Sequence, residues 1–533
     1  MFNEDFFKTQ IDSILKLFSD GQIQEALNSL NQLSKEYPND SLLSNIRGAC
    51  YAALGKFDLA IKSYNTSIEL NPEYAKAHYN LAGSLYEVNN LDGAIDSYQK
   101  SIIIDPSNAQ AHNNLGNVFK EIGQNDNAFK SFRKALDINP DYIEANYSIG
   151  ALHQDLGQLE SAVHSFKKVL LIKPNLASLH NNLGNILREL GNIEGAIDSY
   201  EAALSVNSDF AEALNNLGIV YFESGKMIEA ATSYKKAISI EPNFAEAHNN
   251  LGNIFKENNQ ISEAISSYQK AVSIRSDFIE ALYHLGISYY EYGDSSKAIL
   301  SFEKALAIEP DYEEVIHMLN SISGKTSNSP PRGYVEKLFD GYAEKFDKSL
   351  VDELGYKLPF QIAKLAKEIY PYKSKFKNVI DLGCGTGLSG EGLKLISNNL
   401  IGVDISNKMI IQAKKRKLYD LLFVDEILNY LDSTSEKFDL FVALDVLIYI
   451  GDVTDIFKSI AQRSMHTSYL IFSIELQHAD GFKLLPSGRY SHSKNYIIKK
   501  SESSFKVVKT KKIKLRKEND KWIFGQIFIL KII

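Results

Sequence analysis

Through the first three-fifths of the chain, small and aromatic side chains recur at helical spacing with a 34-residue period. Ala60, Ala94, Ala128, Ala162, Ala196, Ala230, Ala264 and Ala298 share one register. Four residues further on stand Tyr64, Tyr98, Phe132, Phe166, Tyr200, Tyr234, Tyr268 and Phe302. Twelve residues before the alanines the register holds Gly48, Gly116, Gly150, Gly184, Gly218, Gly252 and Gly286, with Ala82 in the third unit. This alternation predicts two packed helices per unit, because a large side chain at the glycine register would hold neighbouring helices apart. Pro38, Pro72, Pro106, Pro140, Pro174, Pro242 and Pro310, with Ser208 and Ser276 between them, follow each second helix and prevent its continuation. After residue 322 the period stops. Strands are then predicted at 378–382, 400–403, 421–424, 438–444 and 469–474. Helices are predicted at 388–396, from Ser406 to residue 417, and at 453–463. A terminal β-hairpin is expected from 505–515 and 522–532, joined by 516–521. Strand–helix alternation implies a mostly parallel, doubly wound sheet.

A 34-residue, two-helix period is the signature of the tetratricopeptide repeat. Eight full repeats run from 41–74 to 279–312, after a degenerate one at 7–40 that keeps Ala26 and Pro38. The expected first domain is an all-α superhelix over 1–322, closed by a helix from 313, with a long concave face. One register there holds Asn80, Asn114, Asn182, Asn216 and Asn250, with Ser148 and His284 completing the row. Asn117, Asn185 and Asn253 follow three residues on, on the same helical face. Asparagine is a poor helix former, so the run asks for a reason. Its amide donates and accepts together, which suits gripping the backbone of an extended protein or peptide partner. An Asn-rich composition is the alternative source. The row resembles the asparagine ladder in the repeats of O-linked N-acetylglucosamine transferase. Residues 323–333 are small, polar and proline-bearing, and form the expected linker to a second domain at 334–533.

In that domain Gly383, Gly385 and Gly387 sit where the first strand turns into the first helix. Missing side chains let the backbone approach a ligand there, and helix-start N–H groups can hold its polar end. Asp404 ends the next strand, 23 residues after Asp381, placed to accept hydrogen bonds from both hydroxyls of a ribose. Asp425 ends the third strand, where it could receive an adenine amino group. Gly385-Thr-Gly-Leu-Ser-Gly390 also matches the dinucleotide pattern G-x-G-x-x-G. That register is late, Asp381 precedes it inside the strand, and a hairpin replaces the second mononucleotide-binding half. All three features favour S-adenosylmethionine over a nicotinamide dinucleotide.

Asp381-Leu-Gly-Cys-Gly-Thr-Gly387, Val403-Asp404 and Asp439-Leu-Phe-Val-Ala-Leu-Asp445 together resemble a class I S-adenosylmethionine-dependent methyltransferase over roughly 332–533. More narrowly, the chain resembles the bacterial group of predicted methyltransferases with tetratricopeptide repeats. That likeness is carried by Tyr334-Val-Glu-Lys-Leu-Phe-Asp-Gly-Tyr-Ala-Glu-Lys-Phe-Asp347, Asp445-Val-Leu-Ile-Tyr-Ile-Gly-Asp452 and Ser487-Gly-Arg-Tyr-Ser-His-Ser493. The resemblance implies a Rossmann-like α/β domain with a seven-stranded sheet ending in the antiparallel hairpin. It implies a lid from Phe339, Tyr342 and Phe346, with Tyr342 near the methionine end, and Ile405 beside Asp404 in the cofactor site. Main-chain atoms near Leu444 and Asp445 would meet the methionine amino group. Glu426 departs from the apolar residue expected after Asp425.

Composition narrows the setting. Two cysteines, Cys50 and Cys384, cannot build a disulfide framework, which fits a reducing compartment. Met1-Phe-Asn-Glu-Asp5 is acidic where a secretory signal is basic, and no apolar run approaches the ~20 residues of a membrane helix. The expectation is a cytoplasmic protein away from membranes. The net charge of −8 conceals a split: residues 331–533 hold 33 Lys+Arg against 24 Asp+Glu, and the rest of the chain 25 against 42. Acidic repeats would repel a phosphate backbone, so nucleic acid is not the expected partner, although residues 494–521 are lysine-rich. Methyl transfer from a sulfonium is an in-line displacement needing alignment and, where the nucleophile carries a proton, a base; no metal is required. Arg489 as an anion clamp, His492 as a base, Tyr490, and Tyr449 after the fourth strand are the candidate catalytic residues. A protein acceptor explains the joining of the two parts. A small-molecule acceptor with docking repeats, and a scaffold with a vestigial second domain, are the alternatives.

Overall fold

A computed structural model describes residues 2–343, 346–348, 358–369, 375–518 and 521–533. It divides into two compact units, Met1–Ala247 and His248–Ile533. The first unit is helical throughout its elements, from α1 (Phe2–Ser19) to α14 (Met227–Ile240). In the full repeats other than the one with Ala82, the glycine seats the first helix on the aromatic ring of the second. A Cβ on Gly184 would lie 2.5 Å from Cε1 of Tyr200, which has no exposed surface. The turn between the paired helices takes a left-handed residue, Gly123 (φ 75°) in one repeat and Asn89 (φ 59°) in another. The proline segment is stapled by the next helix: His78 Nε2 lies 2.9 Å from Pro72 O, and Asn146 Nδ2 donates to Pro140 O at 3.1 Å.

The second unit continues with α15 (Ala245–Glu257), α16 (Ile261–Ile274), α17 (Ile279–Tyr292), α18 (Ser295–Ile308) and α19 (Glu313–Ser323). Gly286 is seated on Phe302 in the same manner, its Cβ position 2.5 Å from the ring. The lid helix α20 (Arg332–Tyr342) and α21 (Ile362–Ile369) precede the sheet. Its strands are β1 (Phe376–Leu382), β2 (Ser397–Asp404), β3 (Leu421–Val424), β4 (Phe438–Ala443), β5 (Ser464–Leu476), β6 (Phe482–Leu484), β7 (Tyr490–His492), β8 (Phe505–Glu518) and β9 (Lys521–Ile532). The order is β3-β2-β1-β4-β5-β7-β6, with β9 antiparallel to β5 and β8 paired to β9. Strands β1 to β5 are parallel. Side chains alternate between two apolar layers, Val379, Leu440 and Val442 on one face and Ile380, Phe441 and Ala443 on the other.

Two features differ from the sequence expectation. Among the described residues the sheet has nine strands rather than seven. The additions, β6 and β7, are three residues each, too short to carry an alternating pattern, and exist because β7 pairs with Glu475 and Leu476 at the end of β5. The hairpin strands extend through most of the expected connection, leaving only residues 519 and 520 of it outside the described chain. A bulge between Lys514 and Arg516 allows this, turning two consecutive side chains, Leu515 and Arg516, inward. Within the expected linker, Thr326 Oγ1 accepts from Leu484 N at 3.3 Å and Ser327 Oγ pairs with Tyr490 OH at 2.7 Å. Next to it Tyr334 is buried with Val315 and Met318, and His317 of α19 bonds to Gly488 O at 3.0 Å. Among the described residues, no helix is long and apolar enough to cross a membrane.

Candidate active site

The site lies at the carboxyl ends of the parallel strands, where the order reverses beside β1 and a crevice opens. Gly383, Gly385 and Gly387 all take left-handed φ, at 72°, 54° and 85°. Gly383 N and Cys384 N donate to Val403 O, tying the loop to the end of β2. A Cβ on Gly383 would sit 2.4 Å from Val446, so this residue must lack one. Gly387 turns away from the cavity and packs on Tyr419. Asp381 lies under the loop, 1% exposed, accepting from Ser389 Oγ and Tyr419 OH, each at 2.6 Å. Burial pushes its carboxyl up to about 6, against those two hydrogen bonds.

Asp404 is the pivot. One oxygen accepts from Gly385 N at 2.8 Å and the other from Ser406 N at 2.9 Å. Burial pushes it also to about 6, with both backbone bonds opposing. Ile405, Asp425, Glu426, Leu444 and Asp445 line the same cavity of about 790 Å³. Asp445 has φ 55°, and its N–H donates to Ser473 Oγ at 2.8 Å. Behind it Arg516, 3% exposed, lies 3.6 Å from Asp445 and 2.7 Å from Glu475. Sequence reasoning missed Arg516, because a lysine-rich strand shows no sign of the bulge that aims it inward.

The lid residues Phe339, Tyr342 and Phe346 line the cavity, and Tyr342 is 43% exposed. Phe339 meets Tyr449 edge-on at 5.1 Å. Asp340 accepts from Ser406 Oγ, and Asp347 bonds Thr386 and Arg416, anchoring the lid motif to the glycine loop and to helix α23 (Asn407–Arg416), which follows β2. The acids of the lid motif are thus anchors, a role its aromatic pattern concealed; its Glu344 and Lys345 lie outside the described residues.

The structure separates the four catalytic candidates. Tyr449 and Arg489 line the cavity. Tyr490 and His492 have no exposed surface and do not line it. Tyr490 OH pairs with Ser327 Oγ at 2.7 Å, and His492 Nε2 lies 3.0 Å from Gly451 O. Burial pushes His492 down to about 4 despite its backbone bonds. Both rings therefore pack the fold rather than face an acceptor, a correction to the sequence reading.

The asparagines are half-buried, with Asn117 more open, and bond laterally. Asn80 donates to Asn45 and Asn114 to Tyr79, each at 3.0 Å. Asn182 exchanges bonds with Gln154 at 3.1 and 3.3 Å. Asn216 donates to Asn181 and Asn185, each at 3.1 Å, and Asn117 accepts from Ser148 at 3.2 Å. Asn185 accepts from Tyr200 at 2.7 Å; in the second unit Asn253 accepts from Tyr268 at 2.7 Å, and Asn250 is also engaged. His284, in the same row, is driven down to about 3 by burial and is neutral.

Comparison with known families finds repeats in both units and a methyltransferase domain in the second. A model described as TPR repeat matches residues 48–88, 82–123, 116–157, 184–225, 220–259 and 252–293. Tetratricopeptide repeat models match 143–176 and 279–312. A methyltransferase domain model matches 380–472. The chain therefore joins tetratricopeptide repeats to a Rossmann-like, class I methyltransferase domain. Among solved structures it is similar to MamA (28% identity, 32% of this chain and 92% of that one, TM-score 0.29). It is also similar to YrrB, described as a TPR protein with an unusual peptide-binding site (22%, 36% and 97%, TM-score 0.31). A third is pilF of Pseudomonas aeruginosa (19%, 39% and 94%, TM-score 0.33). No curated protein matches.

Proposed function

We propose that the protein transfers a methyl group from S-adenosylmethionine to an acceptor recruited, directly or through a partner protein, by its repeats. The observation that carries this reading is Asp404: a buried carboxylate at the end of β2 that also holds the glycine loop, in a cavity of about 790 Å³. The volume lies in the upper part of the range for small-molecule sites, about 300–1,000 Å³, and leaves space beside a cofactor for an acceptor group. A nicotinamide dinucleotide is disfavoured because the strands beyond β5 are short or antiparallel, with no second mononucleotide-binding half.

S-adenosylmethionine supplies a methyl group on a positively charged sulfur. Asp404 accepts from the ribose hydroxyls, Asp425 from the adenine amino group, and the backbone at Leu444 and Asp445 receives the methionine end. Phe339, Tyr342 and Phe346 cover the site and exclude water. Tyr449 and Arg489 face the acceptor. The chemistry asked of the chain is mainly alignment.

Protein recruitment rests on the asparagine rows. Each amide has two N–H donors and two lone pairs, and the lateral bonds use only part of them. The remaining capacity suits the backbone of an extended segment. Calorimetric titration with S-adenosylmethionine, with NAD as control, tests the reading. Saturable binding of the first alone is expected; binding of neither returns the weight to a scaffold.

A further inference from the structure

The segment between α19 and α20 is bonded into the second unit along its length. Leu484 N donates to Thr326 Oγ1 at 3.3 Å, Ser327 Oγ pairs with Tyr490 OH at 2.7 Å, and Asp452 N donates to Asn328 O at 2.9 Å. One glycine admits it: a Cβ on Gly451 would lie 2.5 Å from Asn328 O. Gly488 admits the first turn of α20, since a Cβ there would lie 2.5 Å from the Tyr334 hydroxyl. His492 holds Gly451 from behind, and His317 of α19 holds Gly488. Asn328, Ser329 and Pro330 line the cavity shared with the glycine loop. They reach it from the side of β4, β5 and β7, whereas Asp381, Asp404 and Asp425 lie at the ends of β1, β2 and β3.

We propose that residues 326–331 form the acceptor-side wall of the methyl-transfer cavity, with Ser329 selecting the acceptor and His317, Tyr490 and His492 as positioning residues. This rests on the methyl-transfer reading. The last repeat helix is then part of the enzyme's specificity apparatus, because α19 docks through His317 on Gly488, two residues before Tyr490, the partner of Ser327 in the wall. It also gives Tyr490 and His492 a use compatible with their burial.

The test uses the full chain and three variants. Ser329→Trp fills the wall from an exposed position, so folding is not at stake. Gly451→Val displaces Asn328 and presses on Phe482 and Tyr490 as well, and Ser327→Ala with Tyr490→Phe removes one bond without adding bulk. Calorimetry with S-adenosylhomocysteine should give wild-type affinity within about twofold for all three. Trypsin should cut after Lys325 and Arg332 at least tenfold faster in Gly451→Val. Methyl-tritiated S-adenosylmethionine, with fractionated protein and small-molecule extracts as acceptor source, reads transfer. Ser329→Trp and Gly451→Val should raise the acceptor concentration for half-maximal rate at least tenfold, leave that for S-adenosylmethionine unchanged, and give the double variant an intermediate value. Unchanged acceptor dependence in Ser329→Trp, or in a Gly451→Val protein whose wall is demonstrably cut faster, overturns the proposal. So does a wild type that binds S-adenosylhomocysteine yet methylates nothing in either fraction. A wild type that binds no S-adenosylhomocysteine sinks the methyl-transfer reading instead, and the wall falls with it.

Discussion

Asp404 holds the glycine loop through Gly385 N, accepts from Ser406 N, and in the proposed function also takes the ribose. The fold favours its protonated form, raising it to about 6, whereas ribose recognition needs the carboxylate. Affinity for S-adenosylmethionine therefore rises with pH through about 6 and levels above about 7. Calorimetry at pH 5 should give binding weaker by roughly tenfold than at pH 7.5, matching the fall in ionised fraction. Asp404→Ala should weaken binding at least ~100-fold at pH 7.5, since two hydrogen bonds to a charged group are lost together with the loop's tether. Arg516 makes the opposite kind of case. Removing it by Arg516→Met leaves the buried Glu475 and the half-buried Asp445 without this cation and should cost about 3 kcal/mol, read as a lower thermal midpoint. Asp404 was legible from the sequence because strand period and spacing from the glycines already set a carboxylate at the strand end beside the loop. Arg516 was not, because its inward aim depends on a bulge. Tyr490 and His492 misled for a related reason: residue type announces reactivity, but only packing decides access.

Whole elements repeat one packing solution. Except where Ala82 takes its place, the first-helix glycine of a full repeat lies against the aromatic ring of the partner helix, so Gly184→Val should clash with Tyr200 and cost about 1–3 kcal/mol. Circular dichroism during urea unfolding checks this, and Tyr200→Leu in the same chain should recover part of the loss. The asparagine rows carry a second prediction. Replacing Asn114, Asn182, Asn216 and Asn250 by Ala should weaken a bound peptide without altering S-adenosylmethionine affinity. It should also lower repeat stability by about 1 kcal/mol for each lateral bond lost. Stability loss with unaltered peptide binding would make the rows stacking devices alone. Helix pairs were legible because the period is imposed on many residues at once. The three-residue strands β6 and β7 were not, because nothing local distinguishes them from a loop.

At the scale of the molecule, hydrogen bonds cross the boundary expected at residue 333, from His317 to Gly488 and from Ser327 to Tyr490. A chain beginning at Tyr334 loses His317 and Ser327 as partners and uncovers the turn at Gly488. It should melt lower than a chain beginning at Ile261, which keeps α16 to α19; scanning calorimetry of the two decides. The amino-acid sequence by itself determined the repeat number and register, the parallel sheet, the glycine turn and the strand-end carboxylates. Each is a local pattern in which spacing alone brings residues to one face or one turn. Tertiary structure decided which polar side chains reach the cavity and which are sealed. It turned Arg516 inward to line the cavity beside Asp445 and Glu475, and bonded Thr326, Ser327 and Asn328 into the second unit. Those outcomes depend on contacts between segments distant in sequence, as His317 and Gly488 or Ser327 and Tyr490 show, and no local periodicity encodes them.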